Sequence, residues 1–141
     1  MTSPEEFLKA AALTALNGTG TWLRESPVQA GIDTSAGYPA PFIICGDYTT
    51  TQAQASSRTS AAAVTLYFAD VCPSKADDAQ AHLAAIARME ELKRRFLTAL
   101  NADDFTQIEA IRASPFAAAY AARLDGVGMQ FTLTVPTRAL C

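Results

Sequence analysis

The stretch from Asp77 to Asn101, DDAQAHLAAIARMEELKRRFLTALN, sets the terms for everything else in the chain. With each residue placed about 100° further round a helix axis, one arc collects Leu92, Ala85, Phe96, Met89, Leu100, Ile86 and Leu97. The opposite arc collects Arg94, Thr98, Glu91, Arg95 and Arg88. This is the strongest periodic signal in the sequence and predicts a long amphipathic helix. Asp77 and Asp78 suit its positive N-terminal end, and Arg94 and Arg95 its later turns. Glu90 with Arg94 and Glu91 with Arg95 form i,i+4 pairs in the favourable orientation. A helix with one apolar face must lie on a sheet or on another helix, and the flanking sequence supplies strands.

A second, shorter helix opens at Ser3-Pro4-Glu5-Glu6, where Ser3 suits the N-cap, Pro4 the first helical position and Glu6 a capping box. Phe7, Leu8, Ala11, Ala12, Ala15 and Leu16 share one half of its wheel, and Asn17-Gly18 ends it. Leu13 falls on the outer half among Glu6 and Lys9. A lone exposed leucine is ordinary, and it is also what a subunit contact looks like.

The strands follow by composition and alternation. Thr21-Trp22-Leu23 fits a short strand, after which Gly31, Gly37, Pro39 and Pro41 break any long element. Phe42 to Gly46 is a compact apolar run suited to a buried strand. Ala62, Val64, Leu66 and Phe68 alternate with Ala61, Ala63, Thr65 and Tyr67, a period of two. Between these two strands lies Thr49 to Ser60, which is polar and holds no large apolar residue. It reads as the extended, mobile tip of a long hairpin, ordered only by a partner. Thr49, Thr50, Thr51, Gln52, Gln54 and Arg58 are its candidate contact residues. Phe105 to Arg112 reads as a strand, and Ser114-Pro115 as the start of a short helix through Ala122 or of an irregular extended segment. Asp125-Gly126 reads as a turn. Val127, Met129, Phe131, Leu133 and Val135 then alternate with Gly128, Gln130, Thr132 and Thr134 up to Pro136. The expectation is one α+β domain over residues 1–141, with a mixed, mainly antiparallel sheet, both helices on one face, and a wet Thr/Gln/Gly face opposite.

The chemistry in the sequence is sparse. A net charge of −3 argues against a general or sequence-specific nucleic-acid binder. His82 is the only histidine, so no two-histidine metal site forms within one chain; it reads as a packed, partly exposed residue of the long helix. The pairs Asp77-Asp78 and Asp103-Asp104 sit at helix ends, where capping accounts for them. Cys45 and Cys72 read as buried free thiols and Cys141 as a terminal one, which fits a reducing compartment. No secretory signal and no transmembrane-length run is present, so no membrane association is expected. Lys93 is the anomaly of the long helix, lying inside its apolar stripe. Its stem covers the core edge while its ammonium reaches water, or it meets an acid on another subunit. No catalytic fingerprint occurs, and neither enzymatic activity, a cofactor nor a bound metal is expected.

The order of elements carries a resemblance. A helix, a strand pair with a long polar hairpin after Tyr38-Pro39-Ala40-Pro41-Phe42-Ile43-Ile44, a long helix and a regular last strand together resemble the tail-terminator and tail-completion proteins of long-tailed bacteriophages and prophages. The closing stretch from Ser114-Pro115-Phe116 to Leu124-Asp125-Gly126 and on to Val135 looks like the end of such small structural proteins. The resemblance implies a homo-oligomeric ring, usually a hexamer, capping the tail tube and meeting head-tail connector proteins. It also implies a location in the virion or in the host cytoplasm during assembly. Leu13, Lys93 and the polar sheet face are then expected to carry subunit contacts. A free-standing small-ligand-binding or regulatory α+β domain is the alternative.

Overall fold

In a computed structural model, the structure describes residues 4–24, 40–46, 48–52, 54, 58–71, 79–101, 107–119 and 124–136. Helix α1 spans Pro4–Leu16 and helix α2 spans Ala79–Asn101. The strands are β1 (Thr21–Leu23), β2 (Phe42–Cys45), β3 (Thr49–Thr51), β4 (Thr59–Val71), β5 (Gln107–Ala119) and β6 (Leu124–Pro136). They form one six-stranded sheet in the order β1-β2-β4-β6-β5, with β3 also paired to β4. Only β1 and β2 run parallel, and every other pair is antiparallel. The fold is therefore α+β, as the periodicities imply. The calls that fall on Ser3, Asp77-Asp78, Cys72, Asp103-Asp104 and Cys141 lie outside the described residues.

The helix layer rests on one face of the sheet. Leu8, Ala11, Ala12, Ala15 and Leu16 of α1 and Met89, Leu92, Phe96 and Leu100 of α2 share a buried cluster with alternate residues of β4 and β6. From β4 come Ala62, Val64, Leu66 and Phe68; from β6 come Val127, Met129, Phe131, Leu133 and Val135. The alanines of α1 let its backbone approach α2 closely. Phe96 centres the core, edge-on to Phe68 at 5.5 Å and tilted against Phe131 at 6.5 Å. Asn17 and Gly18 both take positive φ, 50° and 82°, and the Asn17 N–H donates to the Leu13 carbonyl at 3.1 Å, closing α1 as its sequence predicts.

Three segments differ from the sequence expectation. Both ends of the expected mobile tip are sheet: Thr49, Thr50 and Thr51 pair with Ala63, Ala62 and Ala61, while Thr59 and Ser60 belong to β4 and pair with Pro136 and Val135. The threonines do extend the strands, but their hydrogen bonds come from their own chain. Ala61 to Ala63 offer small side chains opposite the branched ones. The register slips by one residue between Cys45 opposite Leu66 and Thr49 opposite Ala63, with the Gly46 N–H bonded to the Thr65 carbonyl at 3.0 Å. Beyond β3 the Gln52 side-chain amide donates to the Gln54 carbonyl at 2.8 Å.

Second, Ser114 to Ala119 is strand rather than helix, because β5 pairs with β6 as far as Ala119 opposite Leu124. Cross-strand pairing overrides the helix propensity of the alanines. Third, Asp125-Gly126 is no turn. Both lie within β6, opposite Asp70 and Ala69. The face away from the helices is also only half wet. Phe42, Ile44, Leu23, Ala69 and Leu124 form a second buried cluster at one end, with Tyr67 and Phe116 packed against it. Ala63, Gln130, Arg112 and Ser114 are exposed on the rest of that face.

A bulge interrupts β5. Glu109 sits opposite Thr132 and Arg112 opposite Gln130, so Ala110 and Ile111 together face the single residue Phe131. Ala110 adopts φ 54°, a conformation that glycine takes readily and alanine does not. Ala110→Gly is expected to raise stability by about 0.5–1 kcal/mol, and Ala110→Val to lower it by more than that. Urea midpoints of the two variants check the ordering.

Candidate functional site

The residues singled out from sequence do not converge. Leu13 stands 52% exposed on the outer side of α1. A groove of about 500 Å³ between the helices is lined by Thr14 and Ala15 of α1 and by Glu91, Arg94, Arg95 and Thr98 of α2, among others. Lys93 is half-buried, and its Nζ lies 2.8 Å from Glu90 Oε2, so its acidic partner is on its own helix rather than necessarily on another subunit. Arg94 likewise pairs with Glu91 at 2.9 Å. Both helix pairs are thus i,i+3, not the i,i+4 pairs that spacing predicts. Thr49, Thr50 and Thr51 are exposed in β3, and Gln52, Gln54 and Arg58 are exposed at the hairpin turn. Leu13 therefore belongs to the helix layer, while the threonines and the turn belong to the sheet.

Two other arrangements do bring chemistry together. The first is a buried pair between α2 and β6. His82 Nδ1 lies 2.7 Å from Asp125 Oδ2, with the histidine 8% exposed and the aspartate fully buried. Two such atoms at that distance share a proton. Asp125 sits opposite Asp70 in the β4–β6 ladder, and Asp70 in turn faces Arg88 of α2 at 3.3 Å. Two neighbouring carboxylates on the sheet are thus each answered from the same helix, which offsets their mutual repulsion. The signal for this pair was in the alternation. Asp125 lies two residues before Val127, on its core side, and His82 lies on the apolar arc of the long helix. Reading Asp125-Gly126 as a turn hid the match.

The second arrangement lies on the open sheet face. A hollow of about 450 Å³ is lined by Thr65, Tyr67, Arg112, Ser114, Gly128 and Gln130, among others. A neighbouring hollow of about 390 Å³ shares Thr65, Arg112 and Gln130. Arg112 is the only charged residue lining either among the described residues. The bulge places it there. Without the extra residue before it, β5 would present Arg112 to the helix side.

A smaller polar cluster ties α1 to the far edge of the sheet. Arg24 Nε donates to Glu5 Oε1 at 2.8 Å, and its guanidinium lies 5.1 Å from the centre of the Tyr48 ring. Burial pushes the Tyr48 phenol above its ordinary range, and the Glu5 carboxylate adds to the shift. Among the described residues no group of three His, Cys, Asp or Glu side chains is placed to hold a metal ion. Cys45 is a buried thiol that donates to the Gly46 carbonyl at 3.4 Å. No described helix is long and apolar enough to cross a membrane.

The fold and its surfaces define a class: an α+β domain with a helix layer on one side and an open, partly polar sheet on the other. No protein-family model matches the chain, and no curated protein matches it.

Proposed function

We propose that the chain is a non-enzymatic structural subunit of a phage or prophage tail, a tail-terminator or tail-completion protein that works by associating with copies of itself and with neighbouring tail or head-tail connector proteins. The observation that carries this reading is the uneven covering of the sheet. Three 13-residue strands, β4, β5 and β6, are packed with helices on one side and leave Ala63, Gln130, Arg112 and Ser114 exposed on the other. An open face patterned in this way suits repeated contacts in a symmetric assembly. The exposed Leu13 on α1 adds a second candidate contact surface.

Placing arginines on the open face by Ala63→Arg with Thr132→Arg is expected to abolish self-association in sedimentation equilibrium while leaving the thermal midpoint within a few degrees. Association unchanged in that variant would count against the sheet face. Leu13→Glu is expected to weaken association at least tenfold, about 1.4 kcal/mol, since a buried leucine contact is worth that or more. A small-ligand-binding domain is the second reading, favoured by the hollow beside Arg112.

A further inference from the structure

We infer that the hollow beside Arg112 is a binding site for a monocarboxylate with a short apolar body. The inference rests on the small-ligand reading and competes with the tail reading for the same open face, so the titration is run at concentrations where the chain is a single copy.

The lining is one-sided in its chemistry. Among the described residues that line it, Arg112, Ser114, Thr65 and Gln130 carry hydrogen-bond donors and none is acidic. Among the described residues Arg112 has no ion-pair partner. Glu109 lies on the same face but lines neither hollow. A set of donors around one unpaired guanidinium selects an anion. A single planar fork matches the two oxygens of a carboxylate, whereas a phosphate dianion would leave charge unanswered.

The shape supplies the rest. Gly128 lies between Ser114 on β5 and Tyr67 on β4, and having no side chain there it leaves a flat floor. Tyr67 is the wall, held edge-to-face against Phe116 at 6.4 Å and 72°. An apolar group lying on Gly128 would meet the Tyr67 ring while its carboxylate reached Arg112. The volume falls within the usual range for small-ligand pockets. The backbone conformation points the same way. The Ala110 φ of 54° is strained for a non-glycine residue, and such strain is retained where it aims a working side chain. Here it belongs to the bulge that turns Arg112 onto the open face.

Isothermal titration of the full chain with benzoate tests this, with benzamide and inorganic phosphate as comparison probes. Benzoate is expected to bind with a Kd on the order of 1 mM or tighter. Binding is expected to weaken at least tenfold in Arg112→Gln and severalfold in Arg112→Lys, which keeps the charge and loses the fork. Benzamide is expected to bind at least tenfold more weakly than benzoate. Acetyl-Ala-Phe with a free C-terminus, set against its amide, separates the sources. A dipeptide acid binding tenfold better than benzoate identifies a chain end as the ligand, and comparable binding identifies a free acid. No binding of either acid overturns the inference, as does equal binding by Arg112→Gln. Phosphate binding as tightly as benzoate overturns the carboxylate assignment. Arg112 is exposed, so Arg112→Gln is expected to keep the parent's melting temperature, and the titration then reports the site rather than the fold.

Discussion

Gly126→Ala is expected to destabilise the protein by about 3–5 kcal/mol. Gly126 lies in β6 opposite Ala69. A Cβ built there would collide with the Phe68 carbonyl oxygen and stand 2.9 Å from the Ala69 Cα. Both are backbone atoms of the neighbouring strand, so no rotamer change relieves the clash. The two longest paired strands would have to part where β4 and β6 carry the core residues Phe68 and Val127. Domains of this size are stable by only about 5–15 kcal/mol, so the loss is a large share of the total. Gly128 provides the control. Its Cβ would meet the Tyr67 ring at 3.5 Å and the Ser114 carbonyl oxygen at 3.9 Å, both ordinary contacts. Gly128→Ala is therefore expected to shift stability by about 0.5 kcal/mol or less. Urea denaturation of the two variants decides it, and equal losses would show that the β4–β6 approach is not as close as described.

The buried His82–Asp125 pair is the second place where one substitution has a large effect. Asp125→Ala removes a fully buried carboxylate and leaves the His82 Nδ1 without the acceptor at 2.7 Å. Breaking a buried pair from one side costs about 3 kcal/mol or more, because the surviving polar group keeps its desolvation cost. Asp125→Asn is expected to lose less, since its amide oxygen still accepts a hydrogen bond. In a double-mutant cycle, Asp125→Ala and His82→Ala are expected to couple by about 1.5–3 kcal/mol. Additive losses would mean that the two side chains are merely neighbours.

The pair also shows where the sequence was readable and where it was not. Long alternation and helical periodicity are local signals: both helices follow from them nearly residue by residue, and of β4 and β6 the stretches 61–68 and 127–135. Asp125 and Gly126 resemble a turn because the residue types favour one. Only pairing along the whole of β4 turns them into strand, and that pairing is not local. The same holds for Ser114 to Ala119, where alanine-rich sequence favours a helix until β6 supplies a partner. Thr49 to Thr51 read as a tip because they lack apolar anchors, yet the hydrogen bonds of a sheet do not require any. The open-face site was the least legible part. Arg112 reaches it through a bulge at Ala110, and no glycine marks that bulge. Lys93 was a real anomaly in the apolar stripe, but its neighbour Glu90 resolves it within one turn.

The central proposal is that this chain functions by self-association. Light scattering coupled to size-exclusion chromatography, run over a concentration series, tests it most directly. The account predicts a mass that rises to a fixed multiple of 14.9 kDa as concentration increases, and that returns toward a single chain in Leu13→Glu and in the open-face arginine variant. A mass of one chain at every concentration up to the solubility limit would contradict it.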